Sequence, residues 1–189
     1  TVHRGTYLDY VGVKTFDARG RVDGEHRILG LWTSTVYYRS ARAIPVLRRK
    51  VESVIDHFGL APQSHDAKAV VNVLETYPRD ELFQASVADL IRIVREVVNL
   101  YDRRTVRLLA RRDPYGRFHS CLVYVPRDRY STDVRHQIER ILLTGFHGLA
   151  FESQIQIADS RHARVHVVVR VDREQRAAID LARMQREIA

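Results

Sequence analysis

Histidines and a single cysteine are the residues of this chain that could act most directly as metal ligands or nucleophiles. The sequence has nine histidines and one cysteine, Cys121. One cysteine forms neither an internal disulfide nor a multi-cysteine zinc site. His162 and His166 are a close i, i+4 pair, but alternating valines around them predict a strand. Residues four apart in a strand are roughly 13 Å from each other, so we expect no metal site here.

Arginine-rich segments are stronger candidates, for binding rather than for catalysis. The charged residues of these segments are Arg111, Arg112, Asp113, Arg117, Arg127, Asp128 and Arg129. Arginine forks can hold a carboxylate or a phosphate at a domain or subunit contact. The alternative, which we favour, is that these arginines pair with the neighbouring aspartates and hold the loops in place.

A second candidate group lies near a predicted helix start. It contains His65, Asp66 and Lys68. Local capping of the helix is the simpler explanation of His65 beside Asp66, although both could contact a ligand or a partner. The nine glycines form no G-x-G-x-x-G, no Walker-type lysine loop and no G-x-S-x-G elbow. We therefore predict no catalytic residue and no cofactor site within this chain.

The formal net charge of +8 raises the question of nucleic-acid binding. Only three of the 31 basic residues are lysines, a bias that genome base composition can produce without any ligand. Positive charge is concentrated between residues 102 and 140. Gly116-Arg117-Phe118 faintly matches a reading strand of RNA-binding domains, but the predicted strand order differs from theirs. A free-standing nucleic-acid-binding module is our alternative hypothesis; a small hydrolase has only scattered histidines in its favour.

Length and composition indicate a globular chain. It has 189 residues, of which 45% are hydrophobic and 29% are charged. No apolar run approaches the roughly 18 to 20 residues of a membrane-spanning helix, and the start lacks a signal-peptide pattern. We expect a cytoplasmic protein with no membrane partner. Because the sequence begins with Thr1 rather than methionine, we also expect it to be a fragment of a longer protein.

The pattern of apolar residues predicts three regions. Residues 7–16 and 21–33 read as a β-hairpin around a turn at 17–20. Helical periodicity then predicts helices after Pro45, after Ser64 and after Ser86. After residue 102 the period changes to two, and the predicted order is two strands, a helix, two strands and a helix from Arg173 onward.

These regions define an α+β fold. The last region is predicted to be an antiparallel sheet of the ferredoxin-like kind with helices on one face. The other face carries polar side chains and should meet water or a partner. A lone hairpin is marginally stable, so the sheet partners of the first region are expected upstream of Thr1.

Three phrases carry a more specific resemblance. They are IPVLRRKV at residues 44–51; SHDAK at 64–68, followed by LETYPRDELFQ at 74–84; and RRDPYGRF at 111–118, with SCLVYVPRDRY at 120–130. Together they resemble the N-terminal region of the very large bacterial NAD-specific glutamate dehydrogenases. The resemblance extends from Tyr7 to about Val171.

The resemblance implies a domain division and a function. Residues 1–43 would be the β-hairpin end of a PAS-like module, 44–102 a helical connector, and 103–189 an ACT-like module, whose predicted ββαββα order departs from the standard βαββαβ. The full-length enzyme would be a cytoplasmic homo-oligomer that oxidatively deaminates L-glutamate to 2-oxoglutarate with NAD, through a dehydrogenase domain far downstream. This segment would be regulatory and inactive alone. Its partners would be the downstream catalytic domain, other subunits and an amino-acid effector.

Overall fold

The computed structural model describes residues 8–101, 103–157, 160–174 and 178–189. Position 7, where the predicted hairpin begins, lies outside the described residues. The strands and helices are β1 (Asp9–Phe16), β2 (Val22–Gly30), α1 (Ser34–Tyr38), α2 (Pro45–Phe58), α3 (His65–Thr76), α4 (Arg79–Gln84), α5 (Val87–Val98), β3 (Arg107–Arg112), β4 (Phe118–Pro126), α6 (Thr132–Gly145), β5 (Ala150–Gln156), β6 (His162–Arg170) and α7 (Leu181–Ile188). Short 3-10 turns occupy Ala41–Ala43 and Arg127–Arg129.

The first two strands form the predicted antiparallel hairpin. The Asp17 carboxylate accepts hydrogen bonds from the backbone N–H groups of Arg19 and Arg21, which closes the turn. Gly20 has a φ of 74°, a left-handed conformation that glycine adopts without strain. Large apolar side chains of both strands are exposed, for example Val13 and Leu29. The hairpin therefore contributes little to the core.

The predicted helices of the connector are present, and each begins where its cap residue indicates. Pro45 occupies the first turn of α2, and Gly59 ends that helix with a φ of 59°. The Ser64 hydroxyl accepts a hydrogen bond from the Ala67 N–H, and the Ser86 hydroxyl accepts one from the Asp89 N–H. These contacts satisfy backbone donors that a helix N-terminus leaves unpaired.

Two short helices, α1 and α4, were absent from the sequence prediction. They are only five and six residues long, too short to show an apolar period. Helix α4 follows Pro78 directly and carries Asp80 and Glu81 in its first turn, where acidic residues interact favourably with the helix dipole. Pro78 ends one helix and precedes another.

The connector helices pack around a shared apolar core. Its larger fully buried side chains are Leu47, Val51, Val54, Leu74, Leu82, Leu90, Ile93 and Val94. Three residues of the sheet, Leu109, Leu122 and Tyr124, belong to the same cluster. The connector and one face of the sheet thus share a single core.

Strands β3 to β6 form one four-stranded sheet in the order β3-β4-β6-β5, with every neighbouring pair antiparallel. Moving β3 from the start of this module to its end converts ββαββα into the βαββαβ order of ferredoxin-like folds. The module is therefore a permuted ferredoxin-like fold, in agreement with the predicted fold class.

Helices α6 and α7 lie on one face of the sheet, as predicted. Cys121, Val123 and Val167 of the sheet pack there against Leu142 of α6 and Met184 of α7. The opposite face, predicted to meet water or a partner, packs against the helical connector, and β4 is consequently buried along its whole length. The partner of this face is the preceding segment of the same chain.

The last helix begins later than the sequence prediction. Periodicity predicted a helix from Arg173 onward, but α7 starts at Leu181; positions 175–177 of the intervening segment lie outside the described residues. The Asp180 carboxylate accepts a hydrogen bond from the Arg183 N–H and so caps the helix. Asp180 is thus the residue of the sequence that indicates where α7 begins.

Candidate functional site

The predicted site residues lie at three separate places. Arg111, Arg112, Asp113 and Arg117 surround the tight turn between β3 and β4. Residues 127–129 form an exposed 3-10 turn at the far end of β4, which is nine residues long. That length corresponds to roughly 26 Å. His65, Asp66 and Lys68 are exposed on the first turn of α3. The structure does not bring the three groups together.

Among the predicted site residues, Arg111 makes the most deeply buried ion pair. Its Nε donates to Glu81 Oε2 at 3.0 Å, and its Nη2 donates to Glu81 Oε1 at 2.8 Å. Both side chains are only 4% exposed. Burial acts against the charge of Arg111, but the two hydrogen bonds to Glu81 outweigh it and raise the pKa of the guanidinium. This bidentate pair ties β3 to helix α4 of the connector.

Asp113 and Arg117 form a second pair, inside the turn itself. Arg117 Nε and Nη2 donate to the Asp113 carboxylate at 2.9 and 3.1 Å, and the Arg117 N–H donates to it as well. Burial alone would raise the pKa of Asp113, but these hydrogen bonds hold it below its usual value. Gly116, with a φ of 68°, allows the chain to turn this tightly. The pair stabilises the turn.

The remaining arginines of the predicted set face outward. Arg112, Arg127 and Arg129 are exposed. Asp128 forms an exposed ion pair with Arg104 at 3.7 Å, a residue outside the predicted set. Exposed pairs of this kind contribute little to stability.

A line of polar contacts joins helix α5 to the edge strand β3. Arg92 donates to the Ala110 carbonyl at 3.1 Å, and Arg107 donates to Glu96 at 2.6 Å. Together with the Arg111–Glu81 pair, these contacts and the shared apolar core define what we call the connector–sheet interface. Its charged residues fix the position of the connector on the sheet.

Lys50 is a further residue of this region that the sequence prediction missed. Its ammonium donates to the carbonyl oxygens of Leu82, Phe83 and Ala85 at 2.7 to 3.0 Å, where α4 ends. Burial, and secondarily the nearby charge of Arg111, lowers the pKa of Lys50. A cation at a helix C-terminus is favourable. A signal was available, because Lys50 is one of only three lysines in the chain.

Glu81 is the most important omission from the predicted set. It is the buried acidic partner of Arg111 and lies in the short helix α4. Its only sequence signal was its place in the phrase at residues 74–84, which carried the family resemblance. We expected the arginines of this set to pair with the neighbouring aspartates; the structure pairs Arg117 with Asp113 and pairs Arg111 with Glu81 of another helix.

Ser120 and His166 make a contact that resembles a nucleophile and its base. The Ser120 hydroxyl lies 3.0 Å from His166 Nε2. Ser120 is only 3% exposed, and burial is the main cause of a lowered pKa at His166. The two side chains lie on adjacent strands beneath the connector. This contact is a buried hydrogen bond of the interface rather than a site open to substrate.

The other candidate ligand residues are also dispersed. Within the described ranges, no three His, Cys, Asp or Glu side chains are grouped so that they could hold a metal ion. Cys121 is buried, and burial raises the pKa of its thiol. Within the same ranges, no helix combines the length and the apolar character needed to cross a membrane.

The two regions joined by this interface correspond to known domain types. Residues 107–189 match the family profile of the glutamate dehydrogenase ACT2 domain. Residues 44–103 match the profile of glutamate dehydrogenase helical motif 1. The sheet with its two helices and the connector are therefore similar to two domain types of glutamate dehydrogenases.

Individual relatives agree with this classification. NAD-specific glutamate dehydrogenases of Halomonas elongata and Pseudomonas aeruginosa are 37% and 41% identical over 187 residues, 99% of this chain. The NAD-specific glutamate dehydrogenase of Mycobacterium tuberculosis is 37% identical over 171 residues, 88% of the chain. The matched segment is 10% to 12% of the length of these relatives. The chain belongs to the NAD-specific glutamate dehydrogenase family and corresponds to one segment of its members.

Proposed function

We propose that this chain is a non-catalytic regulatory and assembly segment of an NAD-specific glutamate dehydrogenase. The full-length enzyme would oxidatively deaminate L-glutamate to 2-oxoglutarate with NAD, in a dehydrogenase domain outside this segment. The observation that carries the proposal is the match of 99% of the chain to 12% of much longer relatives of that name. On this proposal the isolated chain has no glutamate-oxidising activity, and it acts in the cytoplasm as part of a larger homo-oligomeric enzyme.

The domain division of the proposal has three parts. Residues 1–43 are the hairpin end of an upstream PAS-like module, 44–102 a helical connector, and 103–189 an ACT-like module. The apolar side chains that β1 and β2 expose on both faces support the first part, because a hairpin of this kind needs sheet neighbours for stability. The buried Arg111–Glu81 pair supports a fixed arrangement of the second and third parts.

Contacts with other domains are assigned to the exposed charged residues. Arg112, Arg127 and Arg129 project from the two ends of β4, while His65 and Lys68 lie at the start of α3. Arginine forks suit acidic partners, and among the described residues these side chains have no tight pairing like that of Arg111 and Arg117. We therefore assign the internal contact to Arg111 and the contact with the catalytic domain or another subunit to the exposed set.

The first experiment is to size the native protein in the source cell. An immunoblot with antibody to this chain is combined with NAD-dependent glutamate oxidation, assayed across the same gel-filtration fractions. A very large band that co-elutes with the activity is expected. A band near the 21.9 kDa mass of this chain, with the activity elsewhere, would contradict the proposal. Nucleic-acid binding, which must weaken steeply with salt, would then be tested by gel shift.

An amino-acid effector of the ACT-like module is an additional part of the proposal. Calorimetric titration of the full-length enzyme with each common L-amino acid tests it. Heat of binding with one of them, together with a changed rate of glutamate oxidation, is the expected result. No heat with any of them would remove the effector and leave the assembly role.

A further inference from the structure

Helix α4, which has six residues, lies between two separate parts of the chain and contacts both. On one side are residues 31–40, which include α1 and which we call the α1 segment. The residues of α4 that contact this segment are Arg79, Asp80 and Phe83. On the other side, Glu81 and Gln84 contact Arg111 of strand β3. Helix α4 is therefore attached both to the sheet and to the segment that follows the hairpin.

Two hydrogen bonds join α4 to the α1 segment. The Tyr37 hydroxyl donates to Asp80 Oδ1 at 2.8 Å. Arg79 Nη2 donates to the Arg39 carbonyl at 3.0 Å. Arg79 is only 9% exposed, and within the described ranges its Nε and Nη1 have no hydrogen-bond partner. Because buried donors are costly to leave unpaired, Arg79 depends on the bond that the α1 segment provides.

An aromatic contact adds to these hydrogen bonds. Trp32 of the α1 segment stacks on Phe83 of α4, with an angle of 12° between the ring planes. Aromatic pairs of this kind contribute more than the area they bury. Trp32 is the only tryptophan of the chain, so its fluorescence reports on this contact.

On its other side, α4 holds the buried charge of strand β3. Arg111 donates to both carboxylate oxygens of Glu81, and its Nη2 also lies 3.4 Å from the Gln84 side-chain oxygen. These three acceptor atoms belong to one short helix. If α4 opens, the Arg111 guanidinium loses its counter-charge while it is still largely buried, which is strongly unfavourable.

The shortness of α4 makes the two sets of contacts depend on each other. Isolated helices shorter than about 12 residues are marginal in water, so six residues stay helical only because neighbouring parts of the chain hold them. Leu82 in the core and Lys50 at the end of the helix contribute, together with the contacts on the two sides. Loss of either side raises the fraction of chains in which α4 is open, and an open α4 cannot make the contacts of the other side.

We propose that α4 couples the α1 segment to the sheet, each set of contacts stabilising the helix that the other set requires. A partner or an upstream domain that displaced the α1 segment would weaken the Arg111–Glu81 pair and so loosen the connector–sheet interface. Coupling of this kind is reciprocal, so a change at the pair would also weaken the contacts of the α1 segment. This inference goes beyond the proposed function, because it concerns contacts within the chain and holds whether or not the parent enzyme oxidises glutamate.

A double-mutant cycle on the 189-residue chain tests the coupling. Tyr37→Phe removes the hydroxyl that binds Asp80, and Arg111→Gln removes the charge that binds Glu81. If the two contacts support each other, the second substitution costs less when the first is already present. The combined change in the unfolding equilibrium constant, from urea titrations, should be smaller than the product of the two single changes by a factor of about two to ten. A combined change equal to that product would overturn the proposal.

Tyr38→Phe provides the matched control. Tyr38 is the next residue of the chain and is 87% exposed, so loss of its hydroxyl should not alter α4. Its cycle with Arg111→Gln should give a factor of about one. If Arg111→Gln does not fold, Arg111→Lys, which keeps the charge but not the bidentate fork, replaces it in both cycles. A factor for Tyr38→Phe as large as that for Tyr37→Phe would contradict the assignment to α4.

Trp32 fluorescence tests the opposite direction in the folded chain. The same Arg111 variant should increase the quenching of Trp32 by acrylamide, because a less stable α4 releases the stacked ring more often. Arg112→Gln, at the exposed neighbouring position on β3, should leave the quenching unchanged. Dispersed NMR resonances of β6 verify that the sheet is folded in each variant. Unchanged quenching of Trp32 in the Arg111 variant would show that the sheet and the α1 segment are not coupled.

Discussion

Strands β2 and β4 have the same length and are both paired antiparallel, yet their environments are opposite. All nine residues of β2 are exposed, and all nine residues of β4 are buried. Among the described residues, strand β2 has one neighbouring strand, whereas β4 lies between two strands. The connector covers one face of β4, and α6 covers the other. Burial is therefore set by what covers each face rather than by strand formation.

The sheet and the hairpin are stabilised by different contacts. The sheet is held by two apolar clusters, one on each face, that share β4 between them. The hairpin is attached mainly through the segment after it, where Trp32 stacks on Phe83 with ring centroids 4.6 Å apart and Tyr37 donates to Asp80. We expect changes in the sheet or the connector–sheet interface to alter global unfolding, and changes in the hairpin to leave it nearly unaffected.

The largest effect is expected from breaking the buried ion pair. Glu81→Ala leaves the Arg111 guanidinium buried without its carboxylate, which typically costs about 3–5 kcal/mol. Urea unfolding followed by circular dichroism measures the loss. Glu25→Ala, which removes the exposed carboxylate that pairs with Arg27 in the hairpin, is the matched control and should cause no measurable change.

A double substitution tests whether the loss comes from the unpaired charge. Arg111→Met combined with Glu81→Leu removes both charges and keeps similar volume, so it should recover most of the stability that Glu81→Ala loses. If the double variant were as unstable as Glu81→Ala, the charge explanation would be wrong. If Glu81→Ala unfolded like the unsubstituted chain, the connector–sheet interface would not depend on this pair.

A pair of leucines tests the contrast between β4 and β2 directly. Leu122→Ala creates a cavity in the core of the interface, where the side chain is 2% exposed, and should cost about 2–5 kcal/mol. Leu29→Ala removes the same atoms from a side chain that is 65% exposed and should cost almost nothing. The measurement is again urea unfolding. Equal losses would mean that the hairpin is covered in solution, for instance by a second copy of the chain.

Much of this fold could be predicted because its signals are local. The cap serines at 64 and 86, together with Pro45, predicted the long connector helices, and the change from helical to alternating apolar residues after residue 102 predicted the strands of the sheet. The coverage of the second sheet face could not be predicted, because the alternating polar side chains of β5 and β6 are equally typical of a surface that faces water. Its covering depends on contacts between residues about 30 positions apart, such as Arg111 with Glu81.

The candidate site was only partly predictable, because it also depends on contacts between residues that are far apart in the sequence. Charge clustering marked Arg111 and Asp113, but it could not distinguish a buried pair from an exposed one. The acidic partner of Arg111 lies in a helix of six residues with no periodic signal. His162 was considered only as a metal ligand, since a strand pattern gives no information about which face a neighbouring helix will cover.

Protonation of His119 should make the stability of the sheet depend on pH. His119 stacks on Phe146 with ring centroids 4.4 Å apart, and burial, with the charge of Arg112, lowers its pKa from 6.5 to about 4. Between these values the unfolded chain binds a proton that the folded chain does not, so stability falls as the pH falls from 6.5 towards 4.

Replacement of the imidazole tests this dependence. His119→Phe keeps an aromatic ring beside Phe146 and should lose less stability than the unsubstituted chain over the same pH interval, measured by urea unfolding at several pH values. His26→Gln, in the exposed strand β2, should leave the pH profile unchanged. A profile of His119→Phe identical to that of the unsubstituted chain would show that His119 is not the titrating group.

The smallest effect concerns the outer edge of β3. Gln185 of α7 accepts a hydrogen bond from the Leu108 N–H at 2.6 Å and donates to the Val106 carbonyl at 3.0 Å, so its amide pairs with the strand edge as another strand would. Gln185→Leu should cost about 1–3 kcal/mol and speed amide exchange at Leu108, because two backbone groups lose their partners. Arg186→Gln, exposed on the same helix, should change neither quantity. Unaltered exchange at Leu108 would indicate that the edge of β3 is protected by something other than the Gln185 amide.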